Sequence, residues 1–360
     1  MVTKNNTMKT FIHILTIVLV MSLTGCDDTS YSDPHRMPVR VPGLHIRSIS
    51  SVKPMSDGSV ALPVLESDGV KIAKVMRDGI VAYSELAAVM ECSYFQVNTS
   101  GECLVAYRET VVKFDRLGNV TVNREVVDEV GVNEPLLLDN GDICYVNWNE
   151  NNEMILHTLG SNFPYVIKNG DWVRVQPFDD KCFAYNDNLF GIYDADGNEL
   201  GKGELEGMIN TVQYIDGYLY VIVSGGITNP DTEFDFIEKW SVLKMSTDGR
   251  IIYSAEIENS DIYNLTVHDG KLIVTGDVIQ EIAKDGSYGE VYIVDDINGN
   301  VISKISTDNY NGCSLIPIYV SPDPNGEYDV YAARRENYES EEPQLVIYHT
   351  DDLSKLNIEN

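Results

Sequence analysis

A short apolar run, a Gly-centred turn and a second apolar run recur along the chain, and nothing else constrains the fold as strongly. Copies lie at Val75–Val81, Val112–Val120, Ile155–Val166, Gly191–Leu200, Val242–Ile252 and Val291–Ile302, and a glycine-free copy at Leu345–Ile358. The turn glycines Gly79, Gly118, Gly160, Gly197, Gly249 and Gly299 are 39, 42, 37, 52 and 50 residues apart. Hairpins at this spacing predict propeller blades or a similar all-β array.

A second motif runs in phase with the first. It is a turn followed by a strongly apolar strand, at Asp57–Leu65, Gly101–Tyr107, Gly141–Trp148, Asp180–Tyr185, Asp216–Val223, Asp269–Gly276 and Gly326–Ala333. Its markers Gly58, Gly101, Gly141, Asp180, Gly217, Gly270 and Gly326 step by 43, 40, 39, 37, 53 and 56 residues. A further apolar stretch precedes most markers, as at Glu134–Leu138, Val173–Phe178, Thr211–Ile215 and Tyr263–Val267. Each unit therefore reads as strands A, B, C and D of one antiparallel blade. One small sheet with two apolar faces cannot cover both, and stacking blades around an axis does. Seven units predict a seven-bladed all-β propeller over residues 44–360, with six or eight blades as alternatives because the end units are least regular. A β-sandwich built on common Asp-Gly turns would not need two ladders in phase.

The first 25 residues read as a targeting segment. Lys9 precedes the apolar run Phe11–Val20 and then Leu23-Thr24-Gly25-Cys26, the order of a secretory signal. The run is too short for an ordinary spanning helix. Residues 26–43 are polar and Pro-rich and read as a flexible tether.

The chain carries a formal charge of −30, and −32 from Cys26 onward because the leader holds Lys4 and Lys9. Such a chain lacks the basic face that nucleic acid requires. The remaining cysteines are Cys92, Cys103, Cys144, Cys182 and Cys313, an odd number. Three of them share one position on strand B of successive units and read as small buried hydrophobes. There is no CxxC and no histidine cluster.

Units five to seven are longer than the rest. The excess lies between strands B and C, at Ser224–Phe236, Thr275–Glu290 and Arg334–Pro343. In a propeller these B–C loops share a face with the D–A loops, and long loops on one face of a repeat array build binding surfaces. Residues where strand A begins on that face are Tyr94, Glu134, Trp172, Arg174, Asn210, Tyr263 and Asn264. Converging at a channel mouth, they would grip a glycan or peptide by stacking and hydrogen bonding. The alternative is that they bond neighbouring blades and close the ring. Asp194, Asp196 and Asp295 sit in loops like half an EF-hand and are the calcium candidates, although Asp and Asn at hairpin turns also serve the backbone. No other cofactor is expected. There is no nucleophile elbow, HExxH or phosphate-binding glycine loop.

Leu23–Cys26 resembles the lipobox of bacterial lipoproteins, which implies a lipid-modified Cys26 and a membrane anchor in the cell envelope, with the outer membrane expected. An ordinary signal peptide with an incidental cysteine is the alternative. The repeats resemble the superfamily of WD40-like, NHL-like and quinoprotein-like propellers in architecture. The Trp-Asp signature is absent, as is recurrent Trp docking in a chain with three Trp. The expectation is a non-catalytic, membrane-anchored binding or scaffold propeller. Its partner would be a glycan, a peptide or an envelope protein, the last by similarity to the propeller lipoprotein of the outer-membrane protein insertion machinery. An envelope polysaccharide lyase or hydrolase is the alternative.

Overall fold

The computed structural model describes residues 39–46, 48–108, 110–125, 133–148, 154–159, 165–167, 172, 174–194, 196–228, 236–258, 260–278, 288–307, 314–323, 325–335 and 343–356. They form antiparallel strands with two 3-10 turns, at Ile49–Ser51 and Leu353–Leu356. Residues 38–359 make up one compact unit.

Strand β1 (Val39–His45) comes first. The sheet that follows is β2 (Lys53–Pro54), β3 (Val60–Glu66), β4 (Gly69–Val75) and β5 (Val81–Tyr83). The second is β6 (Tyr94–Val97), β7 (Cys103–Tyr107), β8 (Thr110–Phe114) and β9 (Val120–Glu125). The third is β10 (Asn133–Leu137), β11 (Ile143–Trp148), β12 (Met154–Leu159) and β13 (Tyr165–Ile167). The fourth is β14 (Arg174–Phe178), β15 (Lys181–Asn186), β16 (Leu189–Asp194) and β17 (Glu199–Glu204). The fifth is β18 (Met208–Ile215), β19 (Tyr218–Thr228), β20 (Phe236–Met245) and β21 (Ile251–Glu258). The sixth is β22 (Ser260–His268), β23 (Lys271–Val278), β24 (Gly289–Asp295) and β25 (Val301–Thr307). The last joins β26 (Ser314–Pro322), β27 (Tyr328–Arg335) and β28 (Gln344–Thr350) to β1. That makes seven four-stranded antiparallel sheets.

The middle strands are buried on both faces because a neighbouring blade covers each. β23 is buried at Leu272–Gly276 without a break, whereas the outer strand β17 is mostly exposed. Seven hydrophobic clusters fill the seams, and each draws on two neighbouring sheets. Phe183, Phe190, Val221 and Leu243 join the fourth to the fifth, and Tyr220, Val242, Leu272 and Tyr292 join the fifth to the sixth. Val41, Val60, Tyr331 and Leu345 join the last sheet to the first. That last cluster closes the ring, and the fold is an all-β propeller of four-stranded antiparallel blades.

The turn residues of both ladders hold the left-handed backbone that tight hairpins need. Gly118, at φ 85°, also lies so close to Ser84 of the preceding blade that a Cβ would fall 2.8 Å from its Cα. Asp179, Asp216 and Asp269 take positive φ at A–B turns, which Asp tolerates.

Closure departs from the sequence expectation in two places. Leu345–Ile358 does not make a strand C–turn–strand D hairpin, because after β28 the chain turns into the 3-10 segment Leu353–Leu356. The outer strand is instead β1, which pairs antiparallel with β28 at Val39↔Ile347, Arg40↔Val346 and His45↔Gln344. Residues 39–43, expected in the tether, therefore belong to the propeller, and His45 belongs to the last blade rather than the first. Stapling both ends of the chain into one blade lets the ring close without a covalent link.

Candidate functional site

Strand alternation puts the B–C and D–A connections at one end of every blade and the A–B and C–D turns at the other. The residues expected at the channel mouth lie at the B–C end but form no single cluster. Glu134 lies on β10, and its side chain is outside the described residues. Tyr94 is half-buried, with its hydroxyl 3.4 Å from Gln96 Oε1. Trp172 is buried. Its Nε1–H donates to the Tyr193 hydroxyl at 3.1 Å, and the two rings meet edge-on at 6.3 Å. Arg174 donates to the Asn210 carbonyl of the next blade at 3.2 Å. Asn210 Nδ2 donates to the Met208 carbonyl at 3.0 Å and to Ser224 Oγ at 2.8 Å. Asn264 is buried and donates to the Ile318 carbonyl across a seam at 2.9 Å.

Arg174 and Asn264 strap neighbouring inner strands together, while Tyr94, Trp172 and the Asn210 side chain bond within their own blades. Gln96 is a further strap, accepting from the Leu137 N–H at 2.7 Å and donating to its carbonyl at 3.3 Å. Thr266 and Thr275 donate to Val320 and Ile318 carbonyls at 2.9 and 2.6 Å. Inner strands of neighbouring blades share no ladder, so these side chains satisfy backbone groups that would otherwise be orphaned.

Tyr263 is different. The β22–β23 register places Asp261 directly opposite Asp277, and an irregularity at Ile262/Asn264 turns Tyr263 out of the regular alternation. Tyr263 hydrogen-bonds Asp277. Burial pushes the Asp277 carboxyl up to about 6. The Tyr263 bond opposes that rise, and the charges of Asp261 and Glu290 add to it. Burial also raises Asp261 and Tyr263. Two acids facing each other on adjacent strands repel when both ionise, so this end of the sixth blade keeps a proton until the pH rises through about 6. The sequence carried a faint signal of it: Asp277 stands in Thr275-Gly276-Asp277-Val278, an acid at the end of an otherwise apolar strand.

The seam between the fifth and sixth blades holds a second network that sequence reasoning missed. Buried Lys244 donates to Asp296 Oδ2 at 2.6 Å and to its carbonyl at 3.0 Å. Tyr220 and Tyr253 hydroxyls both donate to Asp296 Oδ1 at 2.8 Å, and the Tyr218 ring lies 4.2 Å from the ammonium. Every charge in it is paired, so it reads as a clamp.

The calcium candidates serve their turns. Asp194 Oδ1 accepts from the Asp196 and Asn198 N–H groups at 2.9 and 2.8 Å, and Asp295 Oδ1 accepts from the Ile297 N–H at 2.8 Å. Among the described residues no group of three or more His, Cys, Asp or Glu is placed to hold a metal ion. Cys103, Cys144 and Cys182 are buried free thiols, pushed up to about 12 by burial. Cys313 lies outside the described residues, as does Cys26 with the targeting segment before it.

The B–C insertion of the fifth blade begins as a ladder longer than its flanking strands make. β19 and β20 pair through Gly226↔Glu238, Ile227↔Ile237 and Thr228↔Phe236, three rungs past the last pairs that β18 and β21 make at this end. In the sixth blade β23 and β24 pair up to Asp277↔Gly289. Arg334–Pro343 carries the end of β27, and residues 336–342 are outside the described set.

No protein-family model and no curated protein matches the chain. Solved structures do, and they are propellers. The WD40 domain of Neurospora crassa Pan2 is 10% identical, with 84% of this chain and 89% of that one covered at a TM-score of 0.52. A streptogramin B lyase is 13% identical, with 87% and 97% covered at 0.51. BamB from Moraxella catarrhalis is 14% identical, with 86% and 88% covered at 0.44. The class is therefore a β-propeller. Identities this low show the fold alone.

Proposed function

We propose that the chain is a lipid-anchored, non-catalytic binding or scaffold propeller of seven blades in a bacterial cell envelope, expected at the outer membrane. It would hold a glycan, a peptide or an envelope protein on its B–C face. The β19–β20 hairpin carries this reading. Three rungs raise it about 10 Å past the last pairs of β18 and β21 at strand rise, and a hairpin raised on the loop-bearing face is placed to meet a partner. The inner-strand polar groups point the same way. Gln96, Arg174, Asn264 and Thr266 are engaged as straps, which leaves the loops and hairpins of the rim for recognition.

The test is a photo-crosslinking residue at Ile237 in cells, read beside a variant in which a two-residue turn replaces residues 226–238. A discrete adduct at Ile237, or binding on a glycan array that the shortened variant loses while its melting point holds, supports the reading. Neither adduct nor array binding would end it. Radiolabelled palmitate incorporation that disappears in Cys26→Ser tests the anchor.

One observation favours a second reading, an envelope polysaccharide lyase or hydrolase: the Asp261–Asp277–Tyr263 group combines a raised carboxyl with a phenol at the channel end of a blade. Turnover of envelope polysaccharide that Asp277→Asn abolishes would support it. No product from the unsubstituted protein would remove it.

A further inference from the structure

The C–D face carries an apolar feature that the fold does not need. Leu117 and Ile297 occupy tips of C–D turns, where polar residues are the rule, and they are 77% and 79% exposed. Ile80, just after Gly79 in the first blade's turn, is 57% exposed. Beside these tips the acidic side chains fold back. Asp115 Oδ1 accepts from the Leu117 N–H at 2.8 Å, Asp295 Oδ1 from Ile297 at 2.8 Å and Asp78 Oδ1 from Ile80 at 3.1 Å. The carboxylate is drawn into the turn and the apolar side chain is left outermost.

Among the described residues these most exposed tips lie on the sixth, first and second blades, a run that includes the last blade, whereas Leu200, Ile251 and Ile252 beside the fourth and fifth C–D turns are 40–46% exposed. The turn position that Leu117 holds is Asp78 on the first blade, Asp196 on the fourth and Asp248 on the fifth, and on the first blade Ile80 after the turn glycine is the apolar residue. The chain joins the propeller in the middle of the apolar sector. β1 runs from Val39, opposite Ile347 at the C–D end, towards the B–C end at His45. Val39 lies against the first blade's C–D turn, where a Cβ on Gly79 would collide with Val39 Cγ1.

We propose that this sector of the C–D face rests on the lipid surface that anchors the chain, with Ile80, Leu117 and Ile297 as its contact points. The proposal rests on the reading that Cys26 carries a lipid. Twelve residues separate Cys26 from Val39, a reach of at most about 40 Å, so an anchored propeller stays close to the surface. At the effective concentration a short tether gives, three shallow apolar contacts suffice where they would fail in free solution. The chain's charge of −30 sets the lipid: the sector fits a zwitterionic surface and is repelled by an anionic one.

The experiment uses the full lipoprotein in phosphatidylcholine vesicles with brominated acyl chains, which quench tryptophan at shallow depth. Ile80→Trp, Leu117→Trp and Ile297→Trp are compared with Asp196→Trp on the same face and Leu189→Trp at the B–C end. Emission of the unsubstituted protein is subtracted, and intact mass shows whether Cys26 is acylated. The expected result is about twofold loss of added emission at the three sector positions, none at 196 or 189, and weaker loss when phosphatidylglycerol is mixed in. Equal quenching at all five sites, or none, in a protein whose mass shows the acyl chains overturns the docking and leaves the anchor standing. A mass without acyl chains overturns the anchor and the docking with it. Melting curves of each variant exclude misfolding, and the less bulky Leu117→Phe, read by vesicle flotation of the acylated protein, replaces any variant that fails to fold.

Discussion

Replacing Asp277 with asparagine should stabilise the protein at alkaline pH, and by only about a third as much near pH 4.5. Asp277 faces Asp261 across β22–β23, bonds Tyr263, and is pushed by burial to about 6 from 3.8. A carboxyl raised on folding favours the folded state below the unfolded value, and that contribution is lost as pH rises through the folded one. The shift corresponds to a ceiling of about 3 kcal/mol at 1.36 kcal/mol per unit. The side chain keeps some contact with water, and screening reduces this to roughly 1–2 kcal/mol. The amide of Asp277→Asn would still accept from Tyr263 but carries no charge. The assay is guanidinium unfolding of both proteins at about pH 4.5 and about pH 8, reading the midpoint difference between them. Titrating groups remote from the Asp261–Asp277–Tyr263 group cancel in that double difference. A difference that is flat with pH, or larger in acid, would refute the buried-pair argument.

Further outcomes follow from the seams and the buried thiols. Asp296→Ala should cost about 3–5 kcal/mol by stranding buried Lys244, seen as a fall in the thermal midpoint that Lys244→Met in the same chain partly restores. Gln96→Ala should cost about 1–2 kcal/mol by orphaning both backbone groups of Leu137, read by faster amide exchange there. Gly289→Ala would drive a Cβ into Pro317 Cδ of the next blade, and the overpacking should cost about 1–3 kcal/mol in chemical denaturation. Cys103, Cys144 and Cys182, raised to about 12 by burial, should resist alkylation at about pH 8 until the protein unfolds; rapid labelling by mass spectrometry would contradict their placement.

The strand ladders were legible in the sequence because each turn needs a residue that tolerates positive φ, and Gly58, Gly101, Gly118 and Gly249 mark those turns directly. The middle strands were legible because burial on both faces demands unbroken apolar runs such as Leu272–Thr275. Closure was not. The strand that completes the last blade is Val39–His45, whose Pro42 and Gly43 read as linker, and its partner β28 lies at the opposite end of the chain. Tyr94 and Arg174 begin A strands, but whether Asn264 faces a ligand or the Ile318 carbonyl depends on how the next blade packs. The Asp261–Asp277 pair depends on a register that includes an irregularity beside Tyr263, and alternation alone cannot place it.

The two ends of the blades separate two kinds of chemistry, which makes the two proposals independent. At the B–C end Gln96, Arg174, Asn264 and Thr266 of the inner strands are engaged as straps, and what rises past the last pairs of β18 and β21 is the β19–β20 hairpin. At the C–D end the acids are consumed in turn bonds, and what stands free is apolar. Shortening residues 226–238 should therefore abolish the partner adduct and leave lipid quenching at Leu117→Trp unchanged. Leu117→Asp with Ile297→Asp should reduce vesicle binding of the acylated protein and leave the adduct at Ile237 intact. If either change moved both readouts, the division of labour between the faces would be wrong, and the propeller would have to act as a single surface wrapped by one partner.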